Sequence, residues 1–244
     1  LALRQTEGLI GSILHLLGLD LAVPDYSTLS RRAETLEVPK PCSRSRGPVH
    51  LLVDSTGLRL CGPGEWLIEK HGTRRRRSWR KLHIGVNAET GQILASELTT
   101  HDVDDDSQVE PLLDQIAAPL ASFIGDGAYD QAGIDGTVGK RHPDADVIVP
   151  PRSTAVLSED GESTPTQRDR HLQSIQEHGR MGWQKRSGYT RRALVEASIS
   201  RFKRVIGDAL RSRTDQRRGT EVAIAVHALN RMLELGRPKS VRTA

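Results

Sequence analysis

Aromatic side chains are scarce, at 3% of 244 residues. Stacking of bases or sugars on aromatic platforms is therefore not the primary contact this chain offers a ligand. The two cysteines, Cys42 and Cys61, stand at no zinc or redox spacing and point to a reducing compartment. No run approaches the roughly 18 apolar residues of a membrane span, so no membrane partner is expected. Residues 9–23 are apolar but broken by His15, Gly18 and Asp20, and they lack the basic flank and cleavage site of a signal peptide. What remains is a polar chain, 36% hydrophobic and 27% charged, long enough for one large domain or one domain and a small appendage.

The net charge is only +4, yet it is unevenly spread. Residues 180–218 hold twelve Lys and Arg against Glu196, Asp208 and Asp215. Residues 70–81 hold seven basic residues and no acidic one. Segregation of this kind favours a polyanionic partner over mere solubility. The alternative is a solvated basic face. A glycosidase built on paired carboxylates is disfavoured by the basic surroundings and the lack of aromatic platforms.

The most informative stretch runs from Tyr189 to Gly207. At 100° per residue, Tyr189, Arg192, Glu196 and Lys203 share one side of a helix. Leu194, Val195, Ile199, Phe202, Val205 and Ile206 gather on a separate arc that predicts a buried face. Gly207 sits where a left-handed C-cap residue is expected. In isolation, Arg192 and Glu196 form an ordinary i,i+4 surface pair.

Upstream, residues 3–17 read as a helix, and Asp25 or Ser27 caps a second one ending near Leu36. The pair forms a helical hairpin or a helix-turn-helix. Pro39 to Pro48 is a linker. Val49–Asp54 is a continuous apolar run ending in a carboxylate and the turn-prone Ser55–Gly57, which predicts a buried strand with Asp54 at its end or capping the turn. Residues 81–87 and 92–99 read as a hairpin around the turn at 88–91. The acidic residues Asp102, Asp104, Asp105 and Asp106 precede the apolar spacing of Val109, Leu112, Leu113 and Ile116, which favours a helix N-terminus over a metal site. A second apolar strand ends at Asp126, flanked by glycines that admit close approach of a phosphate or backbone. Asp130 is expected to cap a helix starting near Gln131. Residues 147–150 form another strand, 151–165 a loop, and Thr166 caps a helix ending near Gly179. A last amphipathic helix spans 220–235 through Val222, Ile224, Ala225, Ala228, Leu229 and Met232.

The spacing of Tyr189, Arg192, Glu196 and Lys203 resembles the signature around the last catalytic carboxylate of bacterial insertion-sequence transposases of the DDE class. Asp54, Asp126 and Glu196 look like the triad of the insertion sequence five family, and Trp79–His83 and Gly179–Trp183 also look like segments of that group. The similarity covers about residues 49–207. The order of elements matches a ribonuclease H-like α/β fold, a mixed sheet flanked by helices, with a small N-terminal helical segment. Its expected parts are residues 1–40, helical and a candidate helix-turn-helix remnant; residues 49–207, the catalytic domain with a loop insertion at about 151–187; and residues 208–244, a basic segment and helix. Three converging carboxylates, 72 and then 70 residues apart, repel one another unless a divalent cation neutralises them. Oxygen-only ligation suits Mg²⁺ or Mn²⁺, in a pair that activates a water or 3′-hydroxyl and stabilises the leaving oxygen.

The resemblance implies an enzyme that binds terminal inverted repeats in double-stranded DNA, cuts there and joins the ends to target DNA, as a homodimer in the synaptic complex. It also implies a bacterial cytoplasmic location, at the nucleoid when DNA is bound. Tyr189, Arg192 and Lys203 would lie near the scissile phosphates. Arg74, Arg75, Arg76 and Arg77, with Arg201, Arg204, Arg211 and Arg213, are expected to contact phosphates rather than bases. The first residue is Leu1 rather than Met, which suggests a truncated frame whose missing start would hold much of a terminal-repeat reader. The competing readings are a nuclease of the same fold and an inactive remnant that only binds DNA.

Overall fold

The computed structural model describes residues 2–41, 47–61, 79–131, 133–158, 161 and 163–236. Its centre is β1 (Val49–Leu60), which pairs antiparallel with β2 (Trp79–Asn87) and parallel with β4 (Leu120–Ile124). β3 (Ile93–Thr100) continues antiparallel beyond β2, and β5 (Asp146–Ile148) continues parallel beyond β4. The order is β3-β2-β1-β4-β5, and the two-residue β6 (Ala209–Leu210) joins the far end of β1. A three-stranded antiparallel meander extended by two parallel strands is the ribonuclease H-like arrangement expected from the order of elements.

Side chains of β1 alternate between two cores, which is why Leu51, Leu52 and Val53 are apolar in succession. Val49, Leu51 and Val53 face one core, shared with Phe123, Tyr129, α3 (Val109–Leu113) and α4 (Ile134–Arg141). Leu52 and Leu58 face the other, shared with α5 (Gln167–Ser187), α6 (Ala193–Val205) and α7 (Asp215–Leu235) through Trp183, Val195, Phe202, Val222 and Leu229. Among the described residues, no helix is long and apolar enough to cross a membrane.

Several local expectations change. β1 does not end at Asp54. It runs on to Leu60, because β2 keeps pairing with it as far as Arg59↔Trp79 and β6 adds a partner on the other edge. What ends near Asp54 is the parallel neighbour, since β4 stops at Ile124 opposite Leu52. Tyr189–Arg192 forms a 3₁₀ turn rather than the first turn of α6. Within α6 the middle of the expected arc faces inward, at Val195, Ser198 and Phe202, while Leu194, Val205 and Ile206 toward its edges are exposed. Gly207 does take a positive φ of 123° beyond the helix end.

α7 begins at Asp215, capped by Thr214, and turns Val226 and Asn230 inward, while Ile224 and Met232 are exposed. Asn230 acts as a side-chain peptide unit: its Nδ2 donates to Ile93 O at 2.8 Å and its Oδ1 accepts from Ile93 N at 2.9 Å. Thr166 caps α5 as expected, and the helix breaks at Gly179, whose φ of 70° and ψ of 165° interrupt it before it resumes to Ser187. Asp130 caps no helix. It accepts from Arg168 Nε at 2.8 Å and from the Arg152 N–H at 2.9 Å, and Gly133 precedes α4 instead.

The N-terminal helices α1 (Leu3–Leu16) and α2 (Tyr26–Thr35) pack on each other, and α2 also packs on α7. Asp25 caps α2 by accepting from the N–H groups of Ser27 and Thr28. Glu34 ties α2 to α7, pairing with Arg217 at 2.8 Å and accepting at its carbonyl from Gln216.

Candidate active site

Asp54 projects from β1 on the α6 side, just beyond Leu52, where the pairing with β4 stops. Asp126 follows β4 and caps the 3₁₀ turn Gly127–Tyr129 by accepting from the Ala128 N–H. The turn must fold tightly over Gly125: a Cβ there would stand 2.8 Å from Tyr129 Cδ2, so a side chain would push the ring, and Asp126 with it, out of place. Glu196 lies in the first turn of α6.

One guanidinium joins all three carboxylates. Arg192 Nη2 lies 3.0 Å from Asp54 Oδ2 and 3.4 Å from Asp126 Oδ2, and Nη1 pairs with Glu196 Oε1. The Arg192–Glu196 spacing expected for a surface pair is thus present, but the same cation reaches two other elements as well. The side chains grade from Asp54, 14% exposed, through Asp126 at 35% to Glu196 at 59%. Burial pushes the Asp54 carboxyl up, and the neighbouring Asp126 and Glu196 add to this; the Ser55 N–H and Arg192 act the other way. Burial works against the Arg192 charge, but Asp54, Tyr189, Asp126 and Glu196 outweigh it and raise its pKa further.

The donor chemistry of the cluster fits a hard divalent cation, because every candidate ligand is a carboxylate oxygen. The Arg192 guanidinium stands between the three carboxylates, and among the described residues no group of three or more His, Cys, Asp or Glu is drawn together tightly enough to hold a metal ion.

Tyr189 leans on Trp183, with ring centroids 5.2 Å apart. Trp183 is buried, and its Nε1 donates to His171 Nδ1 at 2.9 Å; His171 Nε2 lies 2.9 Å from Val147 O. A line of contacts thus runs from β5 through α5 to the turn that carries Arg192.

On the opposite face of β1 lies a second polar group that sequence reasoning missed. His83 is fully buried on β2, with Nε2 at 2.9 Å from Thr99 Oγ1 and Nδ1 at 3.2 Å from Asp105 Oδ1. Lys81 Nζ donates to Val103 O and stands 3.6 Å from the same Asp105 oxygen. Asp105 therefore does not cap the following turn, as its place in the acidic cluster predicts; it turns inward to the sheet. Burial alone would raise its carboxyl, but His83, Ser55 and Lys81 hold it below the usual range. The Tyr129 hydroxyl is buried with no hydrogen-bond partner among the described residues. Burial first, then the charges of Asp105, Asp54 and Asp126, push its pKa far up. The signal that could have found His83 was the alternation of β2, where a histidine falls on a face that reads as solvent-facing but is covered.

The remaining expected DNA contacts are dispersed. Arg204, Arg211 and Arg213 are exposed. Arg201 instead donates to Gly91 O at 3.2 Å, in the β2–β3 turn, and its burial lowers its pKa. Lys203 lies toward Asp208, whose carboxyl is held below the usual range by Arg59 first and by Lys203 in lesser part. Arg74, Arg75, Arg76 and Arg77 lie outside the described residues.

A family model described as "Transposase DDE domain" matches residues 45–231, and a second model with the same description matches residues 1–63. Among solved structures, the chain is similar to the piggyBac transposase in a cryo-EM synaptic complex with hairpin DNA. That match has a TM-score of 0.37 and 10% identity over 75% of this chain and 46% of the other, so the chain spans less than half of that protein's length.

Proposed function

The chain belongs to the family of transposases that carry a DDE domain, and on that footing we propose that it cleaves and joins DNA at the ends of an insertion sequence through Asp54, Asp126 and Glu196. The observation that carries this reading is the meeting of these three carboxylates, from β1, the turn after β4 and α6, at one guanidinium. Elements far apart in sequence seldom place three acidic groups on one surface spot for stability alone, since each weakens the others. The insertion sequence five assignment rests on the residue patterns around Asp54, Asp126 and Glu196, with Trp79–His83 and Gly179–Trp183 beside them.

When bound, a pair of Mg²⁺ or Mn²⁺ ions would activate a water or 3′-hydroxyl and stabilise the leaving oxygen. The protein's own contribution is positional. Asp54 is held rigidly by the strand pairing Asp54↔Ile84, and Asp126 is fixed by its cap on the following turn. Glu196, the most exposed of the three, can adjust its rotamer as the substrate arrives. Tyr189, braced by Trp183, and the exposed arginines after Glu196 would meet DNA phosphates without reading bases. The partner is double-stranded DNA, terminal repeats and target alike, with a homodimer in the synaptic complex. A cytoplasmic location, at the nucleoid on DNA, accords with this.

The test is a strand-transfer assay with pre-cut duplex ends taken from the DNA flanking the reading frame. Joined product that requires Mg²⁺ or Mn²⁺ and disappears in Asp126→Asn supports the proposal. Hydrolysis without joining would indicate a nuclease of this fold, and binding without either would indicate an inactive remnant.

A further inference from the structure

We propose that Arg192 and divalent metal compete for the same three carboxylates, so that Arg192 holds the cradle in the metal-free protein and must leave it when metal enters. This rests on the reading of Asp54, Asp126 and Glu196 as metal ligands and assigns a positioning role to a residue beside them.

Charge sets the competition. Three carboxylates and one guanidinium leave a net charge of −2 at the cluster, which still repels itself but is tolerable at a half-exposed site. Two divalent ions would bring the same cluster to +2 if Arg192 stayed, and to +1 if it left. A guanidinium lying within hydrogen-bond reach of every carboxylate would then stand in contact distance of the ions those carboxylates hold, where like charges repel strongly.

The environment of Arg192 points the same way. Its side chain is only 18% exposed, and its Nε–H is buried with no partner among the described residues. The attraction of Asp54, Asp126 and Glu196 is therefore what keeps this cation out of water. Once metal neutralises those groups, the desolvated guanidinium loses its compensation. The backbone also permits the exchange. Arg192 closes the 3₁₀ turn Tyr189–Arg192, immediately before α6, so its side chain can swing outward without disturbing Glu196, which is anchored by the helix. Outward, it would face the solvent side of the cluster, where a substrate phosphate would approach.

The experiment measures Mn²⁺ binding to the metal-stripped full chain, without DNA, by the electron paramagnetic resonance signal of free Mn²⁺. Arg192→Gln, which removes the charge, should bind Mn²⁺ about tenfold more tightly than the wild type, within the usual range of coupling between two ligands. Arg192→Lys, which keeps a charge but loses the forked geometry, should fall between them, and it carries the test should the Gln variant fold poorly. A urea melt gives the reciprocal reading: Arg192→Gln should be less stable than wild type in EDTA, and the difference should close at saturating Mn²⁺. Equal or weaker Mn²⁺ binding in both variants would overturn the competition and make Arg192 a permanent part of the scaffold. Asp126→Asn separates the two claims. If it weakens Mn²⁺ binding while the Arg192 variants do not tighten it, the carboxylate reading stands and the competition falls. If it leaves Mn²⁺ binding unchanged, the carboxylate reading fails and the competition with it.

Discussion

Trp183 Nε1 donates to His171 Nδ1 at 2.9 Å, which requires that His171 carry its proton on Nε2, where it donates to Val147 O. The imidazole can hold both contacts only in its neutral form, since a second proton on Nδ1 would meet the indole N–H head-on. Trp183→Phe keeps a ring against Tyr189 and deletes the donor, so it should cost on the order of 1 kcal/mol in a urea melt. Trp183→Ala removes the ring as well and should cost about 3–5 kcal/mol. A Trp183→Phe protein as unstable as the Ala variant would mean that the hydrogen bond, not the packing, holds this line together.

Asp169 anchors the loop before α5. Its carboxylate accepts from the Ser158 N–H, the Thr166 and Ser158 hydroxyls and the Thr166 N–H, which together hold it well below the usual carboxylate range despite burial. A carboxyl with a depressed folded-state pKa stabilises above its unfolded value, near pH 4, and loses that contribution as pH falls through the folded value. Asp169→Asn should therefore be less stable than wild type by about 2–3 kcal/mol at neutral pH. The gap should narrow steadily below pH 4. A gap that is constant with pH would show that the charge of Asp169 contributes nothing.

Asn230 replaces a missing strand partner for Ile93 with its own side chain. Asn230→Leu leaves the N–H and carbonyl of Ile93 unpaired inside the core and should cost about 2–4 kcal/mol. Amide exchange at Ile93 should accelerate selectively. Unchanged protection there would contradict the assignment.

The arginines after Glu196 should divide into two classes. Arg204→Ala and Arg213→Ala, both at exposed positions, should weaken binding to any duplex and reduce the salt slope by about 0.9 for each phosphate no longer neutralised. Arg201→Ala should lower stability by removing the bond to Gly91 O and leave the salt slope alone. Fluorescence anisotropy against salt concentration measures the slope and a urea melt the stability. A change of sequence preference without a change of slope would remove the phosphate assignment.

The architecture was legible in the sequence because the physics there is local. Apolar runs with turn residues at their ends located β1, β4 and β5, and the hairpin alternation located β2 and β3. The carboxylates were readable as endings of apolar elements, although β1 passes beyond Asp54 and it is the neighbouring β4 that stops. The errors arose where tertiary pairing overrides local pattern. The apolar arc of α6 is covered only along its middle, at Val195 and Phe202, and Leu194, Val205 and Ile206 toward its edges stay exposed. Asn230 is not marked by the apolar spacing of the last helix, and its partner, Ile93, lies 137 residues away. His83 and Asp105 escaped for the same reason: neither has a sequence neighbour that explains it, and only the covered face of the sheet makes them a pair. Arg192 was visible as the partner of Glu196, four residues on, but its reach to Asp54 spans 138 residues and follows from the fold alone.

Shared metal at Asp54, Asp126 and Glu196 is the central claim, and it can be read directly from the chain. Iron(II) substituted for Mg²⁺, with ascorbate and peroxide, cuts a polypeptide backbone close to where the ion sits, and mapping the fragments gives that position. Cuts in three places, beside Asp54 in β1, around Asp126 after β4 and near Glu196 in α6, all suppressed by excess Mg²⁺, are the predicted result. Cuts at one of these sites alone, or elsewhere in the chain, would contradict it.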